Sequence, residues 1–501
     1  MKKVLLSLAA MAMMGMVMTS CQKEEGLSKD TFTATTENGD SKTHLDGLNL
    51  KWDDEGESIM VMGDGNTAEY LATSVTNNNT CATFACQVGE EVDADAYKIY
   101  YPASMVAANN TLQLPAEQEY VENSVKGFPM YAETQSHTFQ FTNLCGLFRL
   151  QLRKTGKSIS SITITTDKAV NGTFTVSTSA AGTFQFVAYE TENNAQKSVT
   201  LDCGSGVSID NLTDFNIYLP AGTYSTFDIT ITATDGAQCV KSLNGNSITI
   251  NRNERVTLTR EGEALTFIPK DAINGLFTVN SSNKRVYFAK GNLQYVNGEW
   301  RFAEHQYDYL GTYSATAWDL FGYSTAATNF GMSTSVYNIY SGSFVDWGTQ
   351  IGDGHTWETL SREELVYLLN TRVDAASKKG LGTVTIGDNE IHGLILLPDT
   401  WTTPAGLTFT SGTGSWTLNK YTAAAWELME AAGAVFLPAT GYRDGTGMNR
   451  VGSFASYRTS TPNGESDAYD MNFDISHVGY LDYGRRFDGL PVRLAQEYHN
   501  N

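Results

Sequence analysis

Short segments that alternate apolar and polar residues follow one another through the first half of this 501-residue chain. Val, Ile, Thr, Tyr and Phe fill these segments, and Gly, Asn and Asp separate them. A period of two places every second side chain on one face, which is the pattern of a half-buried strand. No helical periodicity interrupts the series before about residue 260, so the sequence predicts antiparallel β-sandwiches. The clearest segments are Thr31–Asn38, Ser58–Asp64, Ala96–Pro102, Ser158–Asp167 and Ser225–Gly236.

The character of the chain changes around residues 261–275. Trp52 is the only tryptophan before this boundary, and seven tryptophans follow it. Ser361 and Glu364 have the spacing of a capping box, which predicts the start of an amphipathic helix. A second helix is predicted over residues 422–433, where a glycine stands at the stop position. Strand-like segments surround both helices, so this last part of the chain is predicted to be α+β with large loops.

The first residues have the composition of an export signal. Two lysines precede an apolar run, 4–18, that is short for a membrane span, and Cys21 follows it after small residues. This pattern resembles the bacterial lipobox and implies a signal peptide over 1–20, a lipid on Cys21 and a polar tether over 21–30. Residues 22–25 resemble the surface-export signal of Bacteroidetes-type lipoproteins. The alternative is an ordinary secretory signal that contains Cys21 by chance.

Composition narrows the environment and the partners. A formal net charge of -21 argues against nucleic acid, because a phosphate-binding surface must be cationic. No later apolar run reaches the roughly 20 residues of a spanning helix, so the outer membrane would be contacted through the lipid anchor only. Five more cysteines lack the spacing of a zinc site, which favours small buried residues with one or two disulfides as an alternative. They are Cys81, Cys86, Cys145, Cys203 and Cys239.

The order of several segments carries a family resemblance. FTATTE, WDDEGESIMVM, YYPAS and FTNLCGLFRLQL, followed by NGTFTV, FNIYLPAGTY and ITINRNERVTLTR, resemble the fimbrillins, the pilins of Gram-negative anaerobes. The resemblance covers about residues 26–260. It implies two transthyretin-like β-sandwich domains, 31–154 and 155–262, and assembly with other fimbrillin subunits by donor-strand exchange.

The same resemblance points to a processing site. In the fimbrillins a protease cuts after the first strand and frees a groove for the strand of another subunit. The matching position here is Lys42, in the polar loop GDSKTHL. The alternative is an ordinary solvated lysine in an exposed turn.

Residues 263–501 resemble the C-type-lectin-like fold of bacterial surface proteins and of formylglycine-generating enzymes. The blocks that carry this resemblance are WETLSREELVYLL, LPATGYR, SYRTSTP, AYDMNF and PVRLA. The oxidase activity of those enzymes needs cysteines in this domain, and no cysteine follows Cys239. The histidines lack metal-ligand spacing, and no nucleophile elbow or phosphate loop occurs, so no catalytic residue and no enzyme activity are predicted.

Three tryptophans are candidates for ligand stacking, although most tryptophans of this domain are expected in the core. Trp318, Trp347 and Trp416 lie in loops rich in Gly, Ser and Thr, where surface positions are favoured.

An acidic strand supplies the other candidates. Asp470, Asn472 and Asp474 alternate along DAYDMNFD and are predicted to share one face. They suggest a site for sugar hydroxyls or Ca²⁺, whereas the alternative is a solvated acidic face. No cofactor and no metal are required by the pattern.

A cell-surface fimbrial subunit at the outer membrane follows as the first hypothesis. A whole domain stands after the two pilin-like ones, so such a subunit would accept a strand more readily than give one. This predicts a tip adhesin that binds a glycan or protein ligand through its C-terminal domain. The alternative is a lipid-anchored glycan-binding accessory protein, or a glycan-active enzyme, outside any pilus.

Overall fold

A computed structural model describes residues 31–37, 52, 56–76, 81–107, 111–178, 182, 184–188, 194–243, 245, 247–325, 330–352 and 356–498. The protein is mainly β, as predicted. The signal peptide 1–20, the tether 21–30 with Cys21, and Lys42 lie outside the described residues.

The chain divides into two compact units. The N-terminal unit comprises the described residues up to Thr234 together with Cys239–Thr266, and the C-terminal unit comprises Asp235–Gln238 and the described residues from Phe267 onward. The finer division at residues 154/155 and 262/263, and the transthyretin-like and C-type-lectin-like assignments, stay predictions.

The strands up to Glu261 are, in chain order, β1 Thr31–Thr35, β2 Ser58–Gly63, β3 Asn66–Thr76, β4 Cys81–Val88, β5 Tyr97–Tyr101, β6 Thr111–Leu114, β7 Glu117–Glu119, β8 Met130–Thr134, β9 Thr138–Gln140, β10 Thr142–Asn143, β11 Cys145–Arg153, β12 Ser158–Thr166, β13 Gly172–Thr178, β14 Phe184–Ala188, β15 Ser198–Ser208, β16 Thr213–Pro220, β17 Gly222–Tyr224, β18 Phe227–Ala233, β19 Gln238–Ser242, β20 Ile248–Ile250 and β21 Arg255–Glu261. Short 3-10 turns lie at Ala103–Met105, Asn194–Lys197 and Gly262–Ala264.

An eight-stranded sheet is the largest of this unit, with the strand order β10-β8-β5-β2-β3-β4-β1-β9. Smaller sheets are β19-β18-β12-β15-β7, β16-β11-β21, β14-β13-β6 and β17-β20. The alternating pattern explains their packing, because β18 buries Phe227, Ile229 and Ile231 and leaves the residues between them partly exposed. Cys145, Cys203 and Cys239 are free thiols and are buried, as small apolar residues are.

The C-terminal unit continues with β22 Phe277–Thr278, β23 Arg285–Phe288, β24 Leu293–Val296, β25 Glu299–Phe302, β26 Ala317–Trp318, β27 Trp357–Glu358, β28 Lys379–Ile386, β29 Asn389–Leu396, β30 Lys420–Thr422, β31 Val435–Pro438, β32 Tyr442–Asp444, β33 Gly447–Asn449, β34 Phe454–Asn463, β35 Asp467–Asp474, β36 Val478–Arg485 and β37 Ala495–Glu497. Its helices are α1 Arg362–Val366, which continues as a π-helical turn Tyr367–Thr371, and α2 Ala423–Ala431, with 3-10 turns at Trp347–Gln350 and Ala375–Lys378.

Both helices begin as the sequence predicts. The hydroxyl of Ser361 accepts a bond from the Glu364 N–H, and the Glu364 carboxylate accepts one from the Ser361 N–H, which completes the capping box. Thr422 caps α2, and Gly433 follows that helix with a φ of 96°, a conformation that suits glycine. The sheets around them are β30-β28-β29-β31, β22-β23-β37-β27, β25-β24-β26, β34-β35-β36 and β32-β33.

A buried arginine ties three segments of this unit together. The Arg493 guanidinium donates to the Asn292 side chain at 2.9 Å, to the Ala289 carbonyl at 3.0 Å and to the Phe436 carbonyl at 2.9 Å. Burial lowers the pKa of Arg493 to about 10, so the group remains charged at neutral pH. Its planar fork satisfies acceptors that the surrounding short strands leave unpaired.

We expect Arg493→Lys to destabilise the protein by about 3 kcal/mol, because an ammonium cannot reach the three acceptors of the planar fork. Urea unfolding monitored by tryptophan fluorescence measures the change. Arg301→Lys is the matched control, since Arg301 is exposed and makes one side-chain bond, at 3.3 Å to Gln294, and it should stay within about 0.5 kcal/mol of the parent. Equal stability of both variants would contradict the structural role of Arg493.

Candidate functional site

The first strand, β1, lies between two others near one end of the eight-stranded sheet. It pairs antiparallel with β4 and parallel with β9. The N–H of Thr33 donates to the His137 carbonyl at 2.7 Å, and the Thr35 carbonyl accepts from the Phe141 N–H at 2.9 Å. Both long edges of β1 are therefore hydrogen-bonded to segments distant in sequence.

One face of β1 forms part of the hydrophobic core. Phe32 is buried, and its ring centroid lies 5.1 Å from that of Tyr70 and 4.5 Å from the His137 ring. Ala34 is also buried and pairs with Ala82 across β4. Burial of a phenylalanine side chain stabilises a fold by about 2–3 kcal/mol, so β1 contributes apolar packing as well as backbone bonds.

Removal of β1 would leave a groove with a defined chemistry. Its two walls would be the backbone edges of β4 and β9, whose N–H and C=O groups would lose their partners. Its floor would contain the space of the Phe32 ring, beside Tyr70 and Tyr97. A groove of this kind is filled by an extended segment that supplies backbone groups and alternate apolar side chains.

The three candidate tryptophans are buried, so the expectation of surface positions was wrong. Trp347 has 0% exposure, and its indole N–H donates to the Phe330 carbonyl at 2.8 Å. Trp318 lies under the Arg443 guanidinium, 4.8 Å from the ring centroid. Trp416 stacks on the His392 ring. Trp318 lies in β26 and Trp347 begins a 3-10 turn, and large rings such as these fill the interior of a unit that has few helices.

The alternative of a solvated acidic face on β35 is wrong for Asp470 and Asn472, because both side chains are buried. Arg458 lies directly across from Asp470 on β34 and is buried as well. Asn472 donates to the Asp482 carboxylate at 2.6 Å and contacts His477 at 3.1 Å. Asp470 and Asn472 therefore have polar partners within the protein.

Asp474 stands at the end of the same strand with different surroundings. Its carboxylate accepts from Arg450 at 3.1 Å and from the Ser476 hydroxyl at 2.6 Å. Burial alone would raise the pKa of Asp474, but the bonds from Ser476 and Arg450 and the nearby His477 lower it. Among the described residues, no group of three or more His, Cys, Asp or Glu side chains is placed to hold a metal ion.

A surface loop, residues 333–341, was missed by the sequence reasoning. Tyr337 is 88% exposed, whereas Tyr340 is buried and accepts the Ser333 N–H at 3.0 Å. Arg443 bonds the Ser333 carbonyl, and Arg486 bonds the Tyr340 carbonyl at 2.9 Å. Both ends of the loop are thus anchored to buried arginines. The composition of the loop, STSVYNIYS, could have indicated a binding surface, since Tyr, Ser and Asn are typical of binding loops.

Among the residues that the structure describes, we find no helix that could cross a membrane. No protein-family model matches the chain, and no curated protein matches it either.

Solved structures of bacterial surface proteins show a weak likeness. A putative cell adhesion protein from Bacteroides ovatus is 10% identical, with 48% of this chain and 94% of that chain covered and a TM-score of 0.32. The C-terminally truncated tip fimbrial protein Mfa3 from Porphyromonas gingivalis is 10% identical, with 46% of this chain and 92% of that chain covered and a TM-score of 0.26. A fimbrial protein from B. ovatus is 9% identical, with 94% of this chain and 100% of that chain covered and a TM-score of 0.21. Likenesses of this size assign no function by themselves.

The buried Asp470 predicts a pH dependence of stability. Burial raises its pKa to about 6, against a bond from Ser456 and the charge of Arg458 that act in the opposite direction. Ionisation therefore costs folding free energy, so this group's stabilising contribution is present at low pH and is lost as pH rises from about 4 through about 6.

We expect Asp470→Asn to remove that loss, because the amide keeps an acceptor for Ser456 and cannot ionise. Relative to the parent, its free energy of unfolding should rise by about 2 kcal/mol between pH 4.5 and pH 7.5, measured by urea unfolding at each pH. Asp474→Asn is the control on the same strand, since a lowered pKa places its titration below this window. Parallel curves for Asp470→Asn and the parent would contradict the assignment.

Proposed function

We propose that this chain is a cell-surface fimbrial subunit that accepts a strand from another subunit and binds a ligand through its C-terminal unit. The observation that carries the proposal is the position of β1. This strand of five residues fills a groove in the sheet. Backbone bonds hold it along both edges, and Phe32 and Ala34 are buried on one face. A donated strand with similar side chains satisfies the same groups by β-augmentation.

The last described strand supports acceptance more than donation. β37 pairs with β23 on one side and with β27 on the other. Ala495 within it and Leu494 before it are buried. Donation of this segment would break both ladders and expose the core of its own unit. We propose the tip of a filament as the place for a subunit that receives a strand and keeps β37 in its own sheet.

The export and processing signals complete the proposal. A lipid on Cys21 would hold the chain at the outer membrane, and cleavage after Lys42 would release the lipid from the rest of the protein. Because the connection between β1 and the following described residues would then be cut, β1 would be free to exchange.

Fibre-associated protein is expected to begin at Thr43. The full chain is expressed in a fimbriated host, fibres are sheared off, and the N-terminal residue of the incorporated protein is determined. Lys42→Ala should keep the lipidated N-terminus and remain with the membrane fraction, whereas Lys51→Ala, a neighbouring lysine substitution, should be processed as the parent is. Immunogold labelling should mark fibre ends.

An intact Ser41–Lys42–Thr43 junction in fibre material would contradict the processing step. Protein that retains Cys21 and never enters fibres would favour the lipid-anchored binding protein instead.

The ligand surface that we propose is the loop 333–341. Tyr337 and Ile339 are exposed at its tip, and the anchoring of its ends by Arg443 and Arg486 limits the entropy lost on binding. Tyrosine offers a large apolar face and a hydroxyl at low entropic cost, which suits a sugar face or a protein surface.

Replacement of Tyr337 by alanine is expected to weaken ligand binding at least tenfold and to leave the melting temperature unchanged, because the ring contacts solvent. Ligands are found by screening the full chain on glycan and host-protein arrays, and binding is measured by surface plasmon resonance. Tyr483→Ala is the matched control, since Tyr483 is another exposed ring at 57% exposure. Equal losses in both variants would remove Tyr337 from the proposed site.

A further inference from the structure

A single carboxylate fastens the chain where it leaves β1. Glu37 Oε2 accepts the Arg252 guanidinium at 2.5 Å and the Asn143 backbone N–H at 2.8 Å. The same guanidinium nitrogen donates to the Asn143 carbonyl at 3.0 Å. The side chains of Arg252 and Glu37 are 24% and 22% exposed, so the pair is largely shielded from water. Such a bond is stronger than an ordinary surface ion pair.

The pocket that receives this carboxylate is built without β1. The Asn143 side chain donates to the Asn253 side chain at 2.7 Å, and the Asn253 N–H donates to the Cys145 carbonyl at 2.9 Å. These bonds fix the loop that carries Arg252 against the start of β11. Departure of β1 would therefore leave a preformed cationic site with one free backbone N–H beside an empty groove.

Three side chains, two in β1 and one just after it, define a sequence pattern for a segment that fits this groove. Phe32 fills the apolar floor, Ala34 is buried against Ala82, and Glu37 reaches Arg252. Expressed as spacing, the pattern is a large apolar residue at i, a small residue at i+2 and a carboxylate at i+5.

Backbone bonds alone do not set the register of a strand in this groove. A slip of two residues keeps the same faces buried and re-forms the ladder. The same slip moves the carboxylate by about 7 Å along the strand, at 3.3 Å per residue, and takes it out of reach of Arg252. The cationic pocket distinguishes registers that the ladder does not.

We propose that Arg252 and the Asn143 N–H form a carboxylate pocket that selects the strand entering this groove and fixes its register. The partner it fits is an extended segment of another subunit with the pattern large apolar, small and acidic at i, i+2 and i+5. This inference rests on the proposed strand acceptance, and it adds which strand is accepted.

The test uses the full chain with residues 40–45 replaced by the site of a sequence-specific protease. After cleavage, fluorescent peptides of residues 31–37 exchange with β1, and their affinity is measured by anisotropy. The native peptide TFTATTE should bind about tenfold more tightly than its Glu37→Gln version, as expected for a charged bond that is lost. A peptide with the acid moved to the position of Thr35, TFTAETQ, should bind as weakly as the Gln peptide.

Arg252 variants locate the preference. In Arg252→Gln the native and Gln peptides should bind equally, and Arg252→Lys should retain part of the difference because the charge remains. The peptide comparison on the unsubstituted chain stands even where a variant fails to fold.

The outcomes distinguish failure of the carboxylate pocket from failure of strand acceptance itself. Equal binding of the native and Gln peptides by the unsubstituted chain overturns the carboxylate pocket and leaves strand acceptance intact. Failure of every peptide to bind overturns strand acceptance and the pocket together. A preference for the acid that persists in a folded Arg252→Gln chain overturns the assignment to Arg252.

Discussion

Backbone hydrogen bonds on both edges of β1 are the constraint on which the N-terminal unit depends. The strand fills the place between β4 and β9, so the continuity of the largest sheet passes through five residues. Its side chains add apolar packing through Phe32, and Glu37 adds an electrostatic contact at the exit. The proposed strand acceptance follows from this dependence, because another segment of the same pattern would supply the same backbone and side-chain groups.

The C-terminal unit depends on side-chain donors, because its long irregular segments leave carbonyl groups without strand partners. Arginine side chains supply the donors. Arg486 donates to the carbonyls of Asp467, Tyr340 and Gly464, and Arg372 donates to those of Leu368 and Leu397. A guanidinium carries five N–H groups, so one side chain satisfies several loops at once. Both ends of the loop that presents Tyr337 are anchored in this way.

Local sequence patterns predicted what local interactions decide. The mainly β class followed from alternation, and the helix start followed from Ser361 and Glu364, which contact each other within one turn. Alternation also separates the two faces of β35, but it does not reveal that Asp470 is buried beside Arg458 on the neighbouring strand. Trp347 and the pair Glu37–Arg252 depend on partners brought close by the fold, the latter across 215 residues. The candidate groove could be anticipated from a family resemblance, but the contact between Glu37 and Arg252 could not.

The parallel pairing of β1 with β9 has a consequence for biogenesis. Thr35 contacts Phe139 across 104 residues, so one edge of β1 is completed only by a segment made much later. Closing so long a loop is slow, because its entropy must be lost before the contact is gained. During synthesis the edge of β1 that pairs with β9 would therefore stay open until residues 138–140 have been made. An unpaired strand edge is prone to aggregation during this interval, which is a folding cost of the topology of this sheet.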